Sequence, residues 1–137
     1  MHRHKVLDEH LAHVPLFVGL SKKQLRLISQ LATELEEPAG TVLIEQGEVG
    51  HEFIVVVQGQ IEVSQGGRVV GEHGPGSYVG EIALLEQRPR TARVIAKTPV
   101  KLEVINQREF AGLLDEMPEL AQQVRAVAAD RIAKAEH

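Results

Sequence analysis

A chain of 137 residues, 43% of them hydrophobic, has the size and apolar content of one domain with its own buried core. A formal net charge of -4, from 15 basic against 19 acidic residues, and an aromatic content of 3% argue against a nucleic-acid binder, which needs a basic surface and aromatic stacking platforms. The absence of cysteine excludes disulfides, thiolate metal sites and cysteine nucleophiles.

The opening MHRHKVLDEH lacks the apolar core of a signal peptide, and no apolar run approaches a membrane span of roughly 20 residues. The expectation is a cytoplasmic protein with no membrane partner. Leu7, Leu11 and Val14 form the stripe of a first helix stopping before Pro15. In LSKKQL, Ser21 and Gln24 form a capping box and Leu20 with Leu25 a hydrophobic staple, starting a second helix. Leu25, Ile28, Ala32 and Leu35 then face one way, and Pro38, Ala39 and Gly40 end it.

From Thr41 the pattern changes to short β-branched runs punctuated by glycine: TVLI, EFIVVV, IEV, RVV, ARVIA and VKLEVI. The last alternates Val100, Leu102 and Val104 against Lys101 and Glu103. SQGGR at 64–68 is a hairpin turn, and this spacing of strands means a barrel or a jelly-roll-like double sheet. Helices return at Asn106 and Glu109, a second capping box with Ile105 and Phe110 as its staple, and at Pro118, the first position of a terminal helix. On that helix Leu120, Val124, Val127, Arg131 and Ala135 share one face, with the arginine its odd member.

GEIALLEQRPRTA, residues 80–92, carries the chemistry. Gly80 permits close approach of backbone and ligand, EIALL can wind into one helical turn, and the first amides of a helix lack internal partners and attract anions. Arg90 follows Glu81 by nine positions, so a fold-back brings a fork that suits two phosphate oxygens and an acceptor that suits a sugar hydroxyl to one small space.

These residues resemble the phosphate-binding cassette of cyclic nucleotide-binding domains, found in protein kinase A regulatory subunits, bacterial cyclic-nucleotide-gated channels and the catabolite activator protein family. The resemblance extends to LFVGLSKKQLRLI, AGTVLIEQGEVGHEFIVVVQGQIEV and GPGSYVGE, and so covers the chain from Leu11 to the final helix. It implies that Gly80, Glu81, Ile82 and Ala83 form the cassette turn and that Glu81 takes the ribose 2′-hydroxyl. Amides near Ala83 and Ala92 would take the phosphate oxygens and Arg90 the phosphate charge. Thr91 stands where the family varies between small and hydroxylated residues, and Val79 where an aromatic is common. Leu84 would link the cassette to a hinge helix starting near Gln107.

Plainer readings stand beside these. Arg90 can form a structural ion pair with Glu81 or Glu86. Arg131 can snorkel to water near the negative end of its helix, or stack over a bound purine as a lid. His2, His4, His10 and His13 form a surface cluster, and His51, Glu52 and His73 the set a metal-dependent cupin-like enzyme would use. No Gly-x-Ser-x-Gly elbow, P-loop or cofactor fingerprint is present, and nothing proposes a catalytic base.

The fold expected is mainly β, an antiparallel β-roll with flanking helices, in one domain over 1–137: N-terminal helices over 1–37, the roll over 38–105 with the cassette at 80–92, and hinge and lid helices over 106–137. The function expected is a non-enzymatic module that binds cyclic AMP, or cyclic GMP, without a cofactor or metal, and shifts its C-terminal helices to signal to an effector protein. The ligand-binding set is Gly80, Glu81, Ile82, Ala83, Arg90, Thr91, Ala92 and Arg131. The alternatives are an interaction domain that has lost nucleotide binding and the cupin-like enzyme. The apolar face from Leu120 to Ala135 is expected to serve either as the lid or as a homodimer seam, and no DNA-reading module is expected.

Overall fold

The structure, a computed structural model, describes residues 15–135. The helix expected around Leu7, Leu11 and Val14 and the histidines at 2, 4, 10 and 13 lie outside the described residues.

A 3-10 turn over Pro15–Phe17 leads to α1, Lys22–Leu31. Its capping box forms on both arms: Ser21 Oγ accepts from the Gln24 amide at 3.1 Å, and Gln24 Oε1 accepts from the Ser21 amide at 2.9 Å. The helix ends at Leu31, capped at Ala32, short of Leu35 and of the stop expected at Pro38, Ala39 and Gly40, and Thr33–Glu37 instead forms strand β1. The N-terminal helical segment therefore does not run to 37. The strand pairs with β8 (Val100–Asn106), the last strand in the chain, setting Leu35 opposite Leu102. The long-range ladder satisfies backbone groups that a helix would satisfy locally, and a helical period read from one sequence cannot show that partner.

The remaining strands are β2 (Val42–Ile44), β3 (Glu52–Gln58), β4 (Ile61–Gln65), β5 (Arg68–His73), β6 (Tyr78–Val79), β7 (Arg93–Ala96) and β8 (Val100–Asn106). They make two antiparallel four-stranded sheets, ordered β1-β8-β3-β6 and β2-β7-β4-β5, the double sheet that the glycine-punctuated runs predict. A two-residue turn joins β4 to β5, with Gly66 at φ 58° and Gly67 at φ 80°, the left-handed pair that matches strand twist in a tight hairpin.

Ile54, Val56, Val100 and Leu102 of the first sheet pack on Ile44, Ile61, Val94 and Ala96 of the second. The opposite face of the first sheet presents Phe53, Val55, Tyr78 and Ile105 to the helices. This explains FIVVV, which reads as an unbroken apolar run because both its faces are covered. It also corrects the reading of Glu103: the period of two holds along β8, yet the face expected to be polar lies beneath the helices, and Glu103 is fully buried.

The cassette helix α2 spans Glu81–Glu86, followed after β8 by α3 (Gln107–Glu116) and α4 (Pro118–Ala135). Asn106 caps α3 by accepting from the Glu109 amide at 2.9 Å. Leu120, Ala121, Val124 and Ala128 bury the apolar face of α4 in the chain's own core, beside Leu84 of α2 and Phe110 of α3. As far as Ala128 that face is an intramolecular contact rather than a dimer seam.

Candidate functional site

The site starts where β6 ends. Gly80 adopts φ 98°, and a Cβ there would lie 2.6 Å from the Glu52 carbonyl oxygen and 2.8 Å from Arg90 Nη1. Glycine is required at this position on two counts, the left-handed backbone and the close approach. The chain then winds through α2 and stops at Gln87, itself left-handed at φ 51°. The returning segment is fastened to the loop before β3. The Arg90 amide donates to the Glu48 carbonyl at 2.8 Å, and the Arg90 carbonyl accepts from the Gly47 amide at 2.9 Å.

Arg90 is only 7% exposed. Its Nη1 donates to the Gly80 carbonyl at 3.0 Å and its Nη2 to the Glu52 carbonyl at 2.8 Å. It lies against Gly50, where a Cβ would stand 2.0 Å from Nε. Burial pushes its pKa down, and the charges of Glu52 and Glu81 oppose that shift. The plain reading of Arg90 as an ion-pair partner of Glu81 or Glu86 is replaced by this backbone cradle. The two described bonds occupy two of the five N–H donors of a guanidinium.

Glu81 is 1% exposed, and its Oε1 accepts from Nη1 of Arg131 on α4. The same guanidinium lies 5.0 Å from the centroid of the Tyr78 ring. Arg131 therefore does not snorkel toward water at the helix end; its head is turned into the domain. Tyr78 is pushed up to about 12, first by burial and then by the Glu81 charge, with Arg131 acting the other way. Burial, followed by the Arg131 charge, lowers the pKa of His73.

A cavity of about 650 Å³ gathers all eight predicted residues: Gly80, Glu81, Ile82, Ala83, Arg90, Thr91, Ala92 and Arg131. Its other walls were not read from the sequence. Val63, Gln65, Val70 and His73 of the β4–β5 hairpin line one side, and Asp130 and Lys134 of α4 line another. Gln65 Nε2 donates to the Thr91 carbonyl at 3.1 Å, tying the hairpin to the cassette. Gly50 and Gly80 were the available signals for the Arg90 cradle, since a glycine can mark a close approach. Residues of the hairpin carried no such mark. His51, Glu52 and His73 do not come together: among the described residues no three histidine or acidic side chains form a group able to hold a metal.

A buried cation, a buried carboxylate and a partly apolar wall around one cavity suit a small anion that also carries a hydroxyl. The double sheet with α3 and α4 packed on it defines the class as a β-roll domain. The cyclic nucleotide-binding domain model matches residues 34–117, and the chain belongs to that family of regulatory ligand-binding modules.

Among curated relatives, the Pycsar effector protein of Xanthomonas perforans is 35% identical over 75% of this chain and 34% of its own length. A cyclic nucleotide-gated potassium channel of Mesorhizobium japonicum is 36% identical over 88% of this chain and 34% of the channel. The cAMP-dependent protein kinase regulatory subunit of Yarrowia lipolytica is 37% identical over 82% and 30%. The chain thus spans about a third of the length of these relatives.

Among solved structures, the catabolite activator protein of Thermus thermophilus superposes with a TM-score of 0.78 at 26% identity, over 89% of this chain and 60% of the other. The regulatory subunit of a cAMP-independent protein kinase A from Trypanosoma brucei superposes with a TM-score of 0.86 at 24% identity, over 93% and 46%. These matches agree with the β-roll architecture. No helix among the described residues is long and apolar enough to cross a membrane.

Proposed function

We propose that the cavity binds a 3′,5′-cyclic nucleotide, cyclic AMP in the first place, and that occupancy is passed through α3 and α4 to an effector protein. The observation that carries this reading is the buried Arg90, held by two backbone carbonyls in a cavity whose wall also contains the buried Glu81. Arg90 is the anchor for the phosphate, with cassette amides near Ala83 and Ala92 assisting. Glu81 accepts from the ribose hydroxyl, and the base lies between the β4–β5 hairpin and α4. The reading is of a binding module rather than an enzyme, needing no cofactor or metal.

Thr91 is the candidate for base preference, since its hydroxyl can reach a guanine amino group. One neutral hydrogen bond contributes about 0.5 to 1.5 kcal/mol, so cyclic GMP is expected within roughly tenfold of cyclic AMP. A homodimer through α4 would have to use its other side, where Glu119, Gln122, Gln123 and Arg125 are exposed.

Calorimetric titration with each nucleotide, on wild type, Arg90→Ala and Thr91→Ala, tests this reading. Saturation near one nucleotide per chain is expected. Truncating one partner of a desolvated charge pair costs about 2 to 5 kcal/mol, so Arg90→Ala should weaken binding by roughly 30-fold or more while remaining folded. An Arg90→Ala affinity equal to wild type removes Arg90 from the site.

A second reading, an interaction domain without nucleotide binding, is favoured by one observation: Glu81 already has a partner within the chain in Arg131. The regulatory subunit of a cAMP-independent protein kinase A from Trypanosoma brucei shares this fold. No heat and no thermal stabilisation at millimolar nucleotide would put this second reading first.

A further inference from the structure

On β4 the two-residue period of a strand turns Ile61, Val63 and Gln65 the same way, toward the space between the sheets. Ile61 is fully buried there and Val63 packs against the same apolar cluster, so the polar third member stands out. Its setting comes from the partner strand. Along β5 the register passes from Gly71 opposite Val63 to Val69 opposite Ser64, which leaves Val70 as an extra residue, a bulge. Beyond the bulge Arg68 pairs with Gln65, and Gln65, Val70 and Gly71 all line the cavity.

The orientation of the Gln65 amide is fixed by its neighbour. One end of it lies 3.1 Å from the Thr91 carbonyl oxygen, an atom that can only accept, so that end is the nitrogen Nε2. Oε1 therefore faces away from that carbonyl, and it has no hydrogen-bond partner among the described residues. On α4 the cations that line the cavity are engaged elsewhere, Arg131 by Glu81 and Lys134 by Asp130. Oε1 is left for a donor that a ligand brings.

We propose that Gln65 is a specificity-determining residue of the cavity, its tethered Oε1 accepting a hydrogen bond from an exocyclic amino group of the bound purine. The bond to Thr91 already holds the amide, so accepting another orders little that was free. A base that places an oxo group or a carbon-bound hydrogen there leaves the acceptor without a donor. Guanine carries an amino group at C2, adenine at C6, and hypoxanthine at neither. This inference rests on the nucleotide reading above and deepens it, giving the reading of the base to the β4–β5 hairpin rather than to the cassette.

The test is a calorimetric titration of wild type, Gln65→Met and Gln65→Lys with cyclic GMP, cyclic AMP and cyclic IMP, after thermal melting has shown each variant folded. Methionine keeps the length of the side chain without the amide, and lysine keeps a donor for the Thr91 carbonyl while removing the acceptor. Wild type should bind cyclic GMP or cyclic AMP about two- to tenfold more tightly than cyclic IMP, the range for one neutral hydrogen bond. The nucleotide that holds this advantage identifies the amino group that is read, and both variants should lose it. A mere strut between hairpin and cassette would behave otherwise. Gln65→Met would then weaken all three nucleotides by one factor, and both variants would keep the wild-type ratios. Unchanged ratios with binding intact overturn the role of Gln65 alone, as does a wild type that binds all three equally. If wild type binds none of them, the nucleotide reading itself fails and the role of Gln65 falls with it.

Discussion

At the scale of single residues the site is set by what surrounds each charge. Arg90 is usable because the Gly80 and Glu52 carbonyls take two donors without neutralising the cation, whereas a carboxylate in their place would leave less attraction for an incoming anion. Gly50 leaves the room in which the guanidinium lies. Tyr78 reports on this environment, and because the chain contains one tyrosine and no tryptophan, a spectroscopic titration reads it alone.

The tyrosinate absorbance should rise with a midpoint at about 12, above the ordinary 10.0. The folded state holds the proton that the unfolded state releases. Stability that is complete below pH 10.0 should therefore decline as the pH rises toward about 12. A midpoint near 10.0 would mean that the Tyr78 hydroxyl is in contact with water.

At the scale of elements, α2 meets α4 at the Glu81–Arg131 pair, while Leu84 of α2 and Phe110 of α3 share one core with α4. Phe110 stacks on Phe53 of β3 with centroids 4.4 Å apart, so a shift of α3 must be accommodated inside a packed aromatic contact. A ligand moves such an assembly only by its difference in affinity for two arrangements. We expect hydrogen exchange across residues 106–135 to change on saturation with cyclic AMP while the strands of the roll change little. Unchanged protection there, with binding intact, would leave a binding domain without this switch.

The same elements show what local reading can resolve. The two helix caps at Ser21 and Asn106, the Gly66–Gly67 hairpin and Pro118 at the head of α4 were legible because their chemistry is contained in a few adjacent residues. β1 was misread because its reason for being a strand is the edge of β8, about seventy residues along the chain. β6, two residues long, has no alternation to read.

At the scale of the whole molecule, β3 and β8 supply side chains to both apolar clusters, one between the sheets and one beneath the helices. Damage to either cluster is therefore carried to the other through shared strands, and the domain should melt in one transition. A ligand at a hundredfold excess over its Kd stabilises the folded state by about 2.7 kcal/mol. For a domain of this size that corresponds to a rise of roughly 10 °C in Tm. Cyclic AMP should produce it in wild type and not in Arg90→Ala at the same concentration, as read by differential scanning calorimetry. An equal rise in the variant would remove Arg90 from the site.

The sequence by itself determined the succession of helix, β-roll and helix, and placed GEIALLEQRPRTA as the segment that carries the charges. Caps, turns and period-two runs are local physics, and the cassette's contributions to the cavity come from one short stretch. Only the tertiary structure decided where those charges go. It gave Arg90 to two carbonyls, one of them at Glu52 of β3, and Glu81 to an arginine on the last helix. It also buried Glu103 under helices and brought the β4–β5 hairpin to the cavity wall. Each of these partners is remote along the chain, and a side chain's own sequence neighbourhood does not say which distant backbone or charge will neutralise it once water is removed.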